Sequence, residues 1–404
     1  MQRVLLVVIF LFCAGSLTAL HQNQSATVSG HYLFAWTGDA EGDGKDFLAV
    51  IDADPSSPTY GKLVTTVETD QQTMQVHHTE YVMPASGMLF ANDHMAGRTF
   101  IFDVHDALHP KVVTSFTDMA GYMHPHSYVR LPNGNVLATF QHKAHDMSQG
   151  QMGATGGLVE IDDQGKVIRS ASSADPAYPT ALLTPYSVAV LPEIDRLVST
   201  DSSMHENNIF SGVTFQVWRL SDLKLLKTVN LDVGENHYGH ISPEEPRVGP
   251  DRAVYVQTLG CGIERISGID KDQPTSKLVY TFPGSFCGVP TIVGHYLIQS
   301  VPLINGLIVL DITNGSKPVE VSRLKLPDSY SPHWTGWDEK TNRLVVTGAR
   351  PRLFLLKLDL ATGAIAMDDA FHDAEGKPGF NFANRDWPHG WKGSGIPHGV
   401  VFSR

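Results

Sequence analysis

"HSYVRLPNGNVLATFQ", residues 126–141, is two short apolar runs joined at Pro132-Asn133-Gly134, and this junction decides the fold. Asn and Gly accept the positive φ of a tight turn, so Pro-Asn-Gly between runs of Val, Leu, Tyr and Phe is a specific hairpin signal. Two more runs follow, "GGLVEID" and "KVIRSAS", each bounded by turn residues. The result is a four-strand unit, and it repeats. "EYVMPASG", "MLFAND", "GRTFIFDV" and "KVVTSFT" form the copy before it, and "YSVAVLPEID", "RLVSTDS", "TFQVWRLSD" and "LKLLKTVN" the copy after it. Three further copies run from "PRVGPD" to "GAIAMDDA".

Six copies leave three strands without a fourth at the start of the chain, "HYLFAWTG", "DFLAVIDAD" and "KLVTTVET". One strand is left at the end, "HGVVFS". Three and one complete a seventh unit, and closing a ring in this way removes the open sheet edges that invite aggregation. The expected fold is all-β: a seven-bladed β-propeller whose C-terminal strand joins the N-terminal blade. Helical periodicity is almost absent. The longest stretch without strand character is 371–395, where Trp387, His389 and Trp391 mark a functional loop.

The bulk properties agree with a large globular core. The chain has 404 residues, 42% hydrophobic and 18% charged, with a net charge of −12 and no basic run. A non-specific nucleic-acid binder is therefore not expected. Met1, Gln2 and Arg3 precede "VLLVVIFLFCAGSLTAL", a basic start and a short apolar segment ending in small residues, the pattern of a secretory leader. Residues 1–22 are read as a signal peptide and 23–404 as one propeller domain, periplasmic or secreted. Phe12 before Cys13 is too large for a lipid-attachment site, so no membrane anchor is expected. Cleavage leaves only Cys261 and Cys287, which an oxidising compartment would join in a disulfide.

Lining up the starts of the innermost strands gives "VHHTEY", "MHPHSY", "TPYSVA", "YGHISP", "CGVPTI", "SPHWTG" and "IPHGVV". Five of these seven carry histidine at or near one place, where side chains from different blades converge on one end of the axis. His333 and His398 match His126 directly. For the first segment, an ungapped match puts His77 opposite His124, while a one-residue bulge would bring His78 into line. His240 sits upstream of its strand, and Glu244 or Glu245 could take its axial place; Tyr186 and Pro290 leave two sides open. The candidate metal ligands are thus His77, His78, His126, His240, His333 and His398. Imidazole favours Zn, Cu, Fe and Ni over Mg, Ca and Mn, with Glu80, Asp93 or Glu244 available to orient the rings. His94, His142, His145, His205 and His372 read as surface residues, and Met74, Met95 and Met123 as packing residues.

On "HHTEY", together with "FLAVIDADPSSPTYGKLVTTV", "GRTFIFDV", "HPHSYVRLPNGNVLATF" and "GGLVEID", and more weakly "PHWTGWDEKTNRLVVTG" and "PHG", the chain resembles the selenium-binding protein/methanethiol oxidase family. The resemblance implies a copper-dependent oxidation of methanethiol by oxygen and water to formaldehyde, hydrogen sulfide and hydrogen peroxide in an exported protein. It implies His77, His78 and His126 as ligands, then His333 and His398. A base must take the thiol proton, and Glu80 or a histidine outside the ligand set, His124, is the candidate. The family's Cys-rich stretch after the double histidine is here "MPASGMLFAND", so selenium binding through a thiol is not expected. Two other readings compete: a non-catalytic metal- or selenium-binding propeller, and a lactonase-like hydrolase, which would hold Ca²⁺ with carboxylates and Asn.

Overall fold

Seven four-stranded antiparallel blades stand around a central axis in the computed structural model, which describes residues 30–144, 155–204, 209–232, 241–374 and 376–404. The expected leader and His240 lie outside these residues. Blade 1 consists of Gly395–Phe402, Tyr32–Asp39, Lys45–Asp52 and Leu63–Gln72 from the axis outward, so the ring closes as expected. The innermost strands of blades 2 to 7 are Val76–Thr79, Tyr122–Arg130, Pro185–Leu191, Pro243–Val248, Thr291–Val293 and Pro332–Asp338.

Burial follows position in the blade. Third strands such as Lys45–Asp52, Gly157–Ile161 and Arg352–Leu358 are almost wholly buried, because each lies between two neighbouring blades. Outermost strands such as Val319–Lys325 alternate exposed and half-buried residues, the period-two signature of a sheet with one wet face. Seven apolar clusters fill the seven seams; Trp36, Phe100 and Phe102 sit between blades 1 and 2, and Phe90, Tyr128 and Phe140 between blades 2 and 3. In the stretch read as a functional loop, Phe371, Phe380, Phe382 and Trp387 are buried in the cluster between blades 7 and 1, so it contributes to the core.

Near the axis the innermost strands share a defect. In blade 2, Val76 pairs with Asp93 and Thr79 with Ala91, so His77 and His78 together oppose Asn92. The same one-residue bulge puts His126 and Ser127 opposite Thr139, Tyr186 and Ser187 opposite Thr200, and Glu244 and Glu245 opposite Gln257. It recurs in blade 7 at His333 and Trp334, and in blade 1 at His398 and Gly399. A bulge leaves a backbone N–H unpaired, and a buried N–H needs a partner. Here the opposing side chain accepts it: His78 N to Asn92 Oδ1 at 2.8 Å, Ser127 N to Thr139 Oγ1 at 3.0 Å, Ser187 N to Thr200 Oγ1 at 3.3 Å.

The same side chains donate onward to the next blade. Asn92 bonds the carbonyl of Pro125 (2.7 Å), Thr139 that of Tyr186 (2.8 Å), Thr200 that of Glu244 (2.6 Å) and Gln257 that of Cys287 (2.6 Å). Thr347 bonds the carbonyl of His398, Trp36 that of Asn92, and the Val289 N–H that of His333, which completes the circle. Cys261 and Cys287 form the expected disulfide, with Cα atoms 5.0 Å apart.

Thr139→Val keeps the shape of the side chain but orphans the Ser127 N–H and removes the donor to Tyr186. We expect a loss of about 1–3 kcal/mol, read as a lower urea midpoint at unchanged m-value; an unchanged midpoint would show that the inter-blade bonds are incidental.

Candidate metal centre

The bulge answers why two adjacent histidines share one site. In a regular strand His77 and His78 would point to opposite faces. With both set against Asn92, their rings stack 4.0 Å apart, centroid to centroid, and both are buried. His77, not His78, is the structural equivalent of His126, His333 and His398, and neither register offered by the sequence holds: Thr79, not Tyr81, lies two residues past the bulge start as Tyr128 does in blade 3.

His77 Nε2 lies 2.9 Å from His126 Nε2, and a ring nitrogen from each of His77, His78 and His126 lies within 4.8 Å of the others. Hydrogen bonds assign the lone pairs. His126 Nδ1 is 2.7 Å from the carbonyl oxygen of Tyr186, which can only accept, so Nδ1 carries the proton and Nε2 presents its lone pair to the cluster. His78 Nδ1 faces Ser127 Oγ at 3.1 Å and Glu245 at 3.7 Å, while its Nε2 is buried with no partner. His77 Nδ1 and His398 Nδ1 are likewise buried and unpartnered. Orphaned imidazole nitrogens gathered in a closed protein interior are costly and suited to a cation.

Burial first, then mutual repulsion, pushes the pKa values of His77, His78 and His126 well below 6.5, so at neutral pH all three are uncharged, the form that ligates metal. His398 is held down by burial and by His333 beside it, and burial lowers His333 to about 4. The ring of His398 is 4.5 Å from that of His77, and the ring of His333 is 4.8 Å from that of His398. His398 therefore borders the three-histidine group directly, and His333 stands one step beyond it.

Several expected roles change. His94 and His142 are not surface residues but are 4% and 2% exposed, and His94 lies 5.6 Å from His77 and 5.3 Å from His126, ring to ring. Its spacing from any repeat landmark in the sequence gave no sign of this. His124 takes a left-handed backbone (φ 57°) and lies against His94, at 5.9 Å, not in the central group. Glu80 points away into the seam between blades 2 and 3, where Arg130 bonds both carboxylate oxygens at 2.9 Å and the Phe90 N–H adds a third bond. Asp93 binds the N–H groups of Met74, Gln75 and Ala96. The carboxylates at the axis are Glu244, in the ring position, and Glu245, which accepts from Tyr81 (2.6 Å) and Arg247 (3.2 Å) on the side away from His78. Met74 and Met95 are exposed rather than packed.

A cavity of about 480 Å³ opens over this end of the axis, with His77, His333, His398, Tyr186 and Glu244 among its walls. Burial, reinforced by Glu245 and opposed by a hydrogen bond from Gln257, pushes the Glu244 carboxyl up to about 8. A second cavity, of about 700 Å³, lies at the far ends of the same innermost strands and includes Tyr81 and Arg247.

The comparisons with known proteins bear on this arrangement. No protein-family model matches the chain. It is 27% identical over 227 residues to a methanethiol oxidase of Hyphomicrobium sp., covering 51% of this chain and 50% of that protein. It is 30% identical over 145 residues to a methanethiol oxidase of Ruegeria pomeroyi, covering 34% and 31%. The chain resembles the methanethiol oxidases. The matches span half or less of the length of these relatives. Among solved structures, a hypothetical selenium-binding protein from Sulfolobus tokodaii superposes with a TM-score of 0.70 at 16% identity over 92% of this chain and 93% of that one. A periplasmic gluconolactonase from Pseudomonas aeruginosa gives 0.61 at 12% over 93% and 99%. At these identities both likenesses speak for the propeller fold alone. Among the described residues no helix is long and apolar enough to cross a membrane.

The buried histidines set an acid limit on the metal-free protein. His77, His78, His94, His126, His333 and His398 stay neutral when folded but take protons near pH 6.5 when unfolded, so their contribution is complete above that pH and lost as pH falls. Glu244 works the other way, its contribution falling as pH rises towards about 8. Denaturant titrations should show stability greatest near neutrality and falling between about pH 6.5 and 4 by ~1.4 kcal/mol per pH unit for each extra proton bound on unfolding. A flat profile would mean that the imidazoles are already protonated in the folded state.

Proposed function

We propose that the protein is an exported copper-dependent oxidase of small thiols, converting methanethiol, oxygen and water into formaldehyde, hydrogen sulfide and hydrogen peroxide. The observation that carries this reading is the group of three buried, neutral imidazoles, His77 and His78 each with an unpartnered nitrogen, of which His77 reaches the wall of an open cavity. The partial similarity to two methanethiol oxidases supports the substrate.

His77, His78 and His126 would hold the metal, with His333 and His398 next to them. An imidazole set with no carboxylate among its three members suits copper better than Mg, Ca or Mn. Copper bound there supplies a soft Lewis acid for sulfur and a one-electron couple. The Tyr186 carbonyl fixes the His126 ring, and Ser127 with Glu245 fixes the His78 ring. Glu244, not Glu80 or His124, is the group positioned to take the thiol proton, because it faces the cavity while Glu80 is tied to Arg130. A carboxyl raised towards the pKa range of thiols is matched to that transfer.

The test is metal content and oxygen uptake with methanethiol on the purified protein. Stoichiometric copper with thiol-dependent peroxide is expected, and both should be lost in His78→Ala and His126→Ala. Bound calcium in place of copper would overturn the reading, and copper without turnover would leave a metal-binding protein.

Glu244→Gln should retain copper but lower kcat/KM by about 10²–10⁴-fold. The acid limb of the wild-type pH profile, at or below about pH 8 since a bound cation favours the carboxylate, should vanish in the variant. A limb that persists in Glu244→Gln would assign the base elsewhere.

A further inference from the structure

The cavity above the histidines is far larger than its proposed substrate. Methanethiol has two heavy atoms, whereas a volume of about 480 Å³ lies in the range of about 300–1,000 Å³ typical of sites for much larger organic ligands. Its walls are mostly apolar, with Val76, Leu259, Phe286, Pro332 and Ile396 around the histidines, and no lysine or arginine lines it among the described residues. The charged groups that do line it, Asp39 and Glu244, are acids. Asp39 is engaged by the N–H groups of its own turn, at Glu41, Asp43 and Gly44.

One wall is fixed in place. Phe286 is 52% exposed yet held in a left-handed backbone conformation, φ 62°, unfavourable for a large side chain. Its N–H bonds the Leu259 carbonyl at 2.6 Å, its ring meets Phe210 at 5.4 Å edge-on, and the next residue, Cys287, is bridged to Cys261. An exposed phenyl ring tied down on three sides over a cavity forms a standing apolar surface for a ligand.

Resting on the thiol-oxidase reading, we propose that the substrate class of this site is neutral alkyl thiols longer than methanethiol, the chain lying against Phe286, Leu259 and Ile396 while the sulfur meets the histidines. The balance follows the parent reaction: a primary thiol, oxygen and water give the aldehyde of the same chain length, hydrogen sulfide and hydrogen peroxide. The carbon bearing sulfur loses two electrons in this step as its C–S bond breaks, the sulfur leaves as sulfide, and oxygen is reduced to peroxide. Thiols carrying a carboxylate are disfavoured, since the cavity walls away from the histidines offer them acids and no cationic side chain.

Oxygen uptake by the copper-loaded full chain should give kcat/KM rising from methanethiol through propanethiol to pentanethiol by about fourfold per methylene, with 3-mercaptopropionate at least about tenfold below propanethiol for want of a cationic side chain along the apolar walls. Phe286→Ser should narrow the pentanethiol-to-methanethiol ratio by about tenfold or more, the loss expected when an apolar wall is removed. If methanethiol is oxidised but the series is flat or falling, the substrate class is wrong and the oxidase reading stands. If no thiol is oxidised, the oxidase reading fails, and calorimetric titration with pentyl methyl sulfide, which has no S–H to oxidise, decides the pocket. Binding that weakens in Phe286→Ser supports the pocket; no binding overturns it.

Discussion

One hydrogen-bonding device holds the ring and makes the site. At the bulges of blades 2, 3 and 4 an N–H falls out of register, and the opposing Asn92, Thr139 or Thr200 accepts it while donating to a carbonyl of the next blade. The bulge aims two consecutive side chains inward, and the inter-blade bond sets the distance to the neighbouring pair. The stacking of His77 on His78 and the approach of His126 to His77 are consequences of this constraint. Without the bulge in blade 2, one of His77 and His78 would be sent into a seam.

The cost of the arrangement is electrostatic. Neutral imidazoles crowd at the axis with nitrogens unsatisfied, and carboxylates lie buried beside them. Structures tolerate such groups where they serve function, and a cation between the rings would satisfy them together. Beneath the histidines the protein compensates its own charge: Glu245 is matched by Arg247 and Tyr81, with the guanidinium 3.9 Å over the Tyr81 ring and Tyr81 stacked on Trp334. This network separates the histidine end of the axis from the larger cavity at the other end.

The fold was legible because its signals are local. Turn residues at regular spacing, apolar runs of strand length and an unbalanced count of strands at the two termini suffice to predict seven blades and their closure. The site was legible only in outline. The recurrence of histidine at strand starts marks the axis, but a bulge is a matter of pairing, and pairing is not written in one strand. The sequence therefore placed His77 opposite His124 or put His78 in line, where the structure aligns His77 with His126. His94 shows the same limit: it follows the second strand of its blade, and only the approach of blade 3 carries it to His126. Glu80 lies away from the histidines for the opposite reason, because a residue two positions from a histidine can be turned into a seam and paired with an arginine fifty residues later.

By itself the sequence determined the class of fold, the number of blades, the route of ring closure and the kind of atom that gathers at the axis. These depend on turn chemistry, period and composition, all properties of short segments. The tertiary structure decided which histidines meet, which nitrogens are left free, which carboxylate faces the cavity and how large the cavity is. Each of those is a distance between blades, set by bulges and inter-blade hydrogen bonds that no single segment contains.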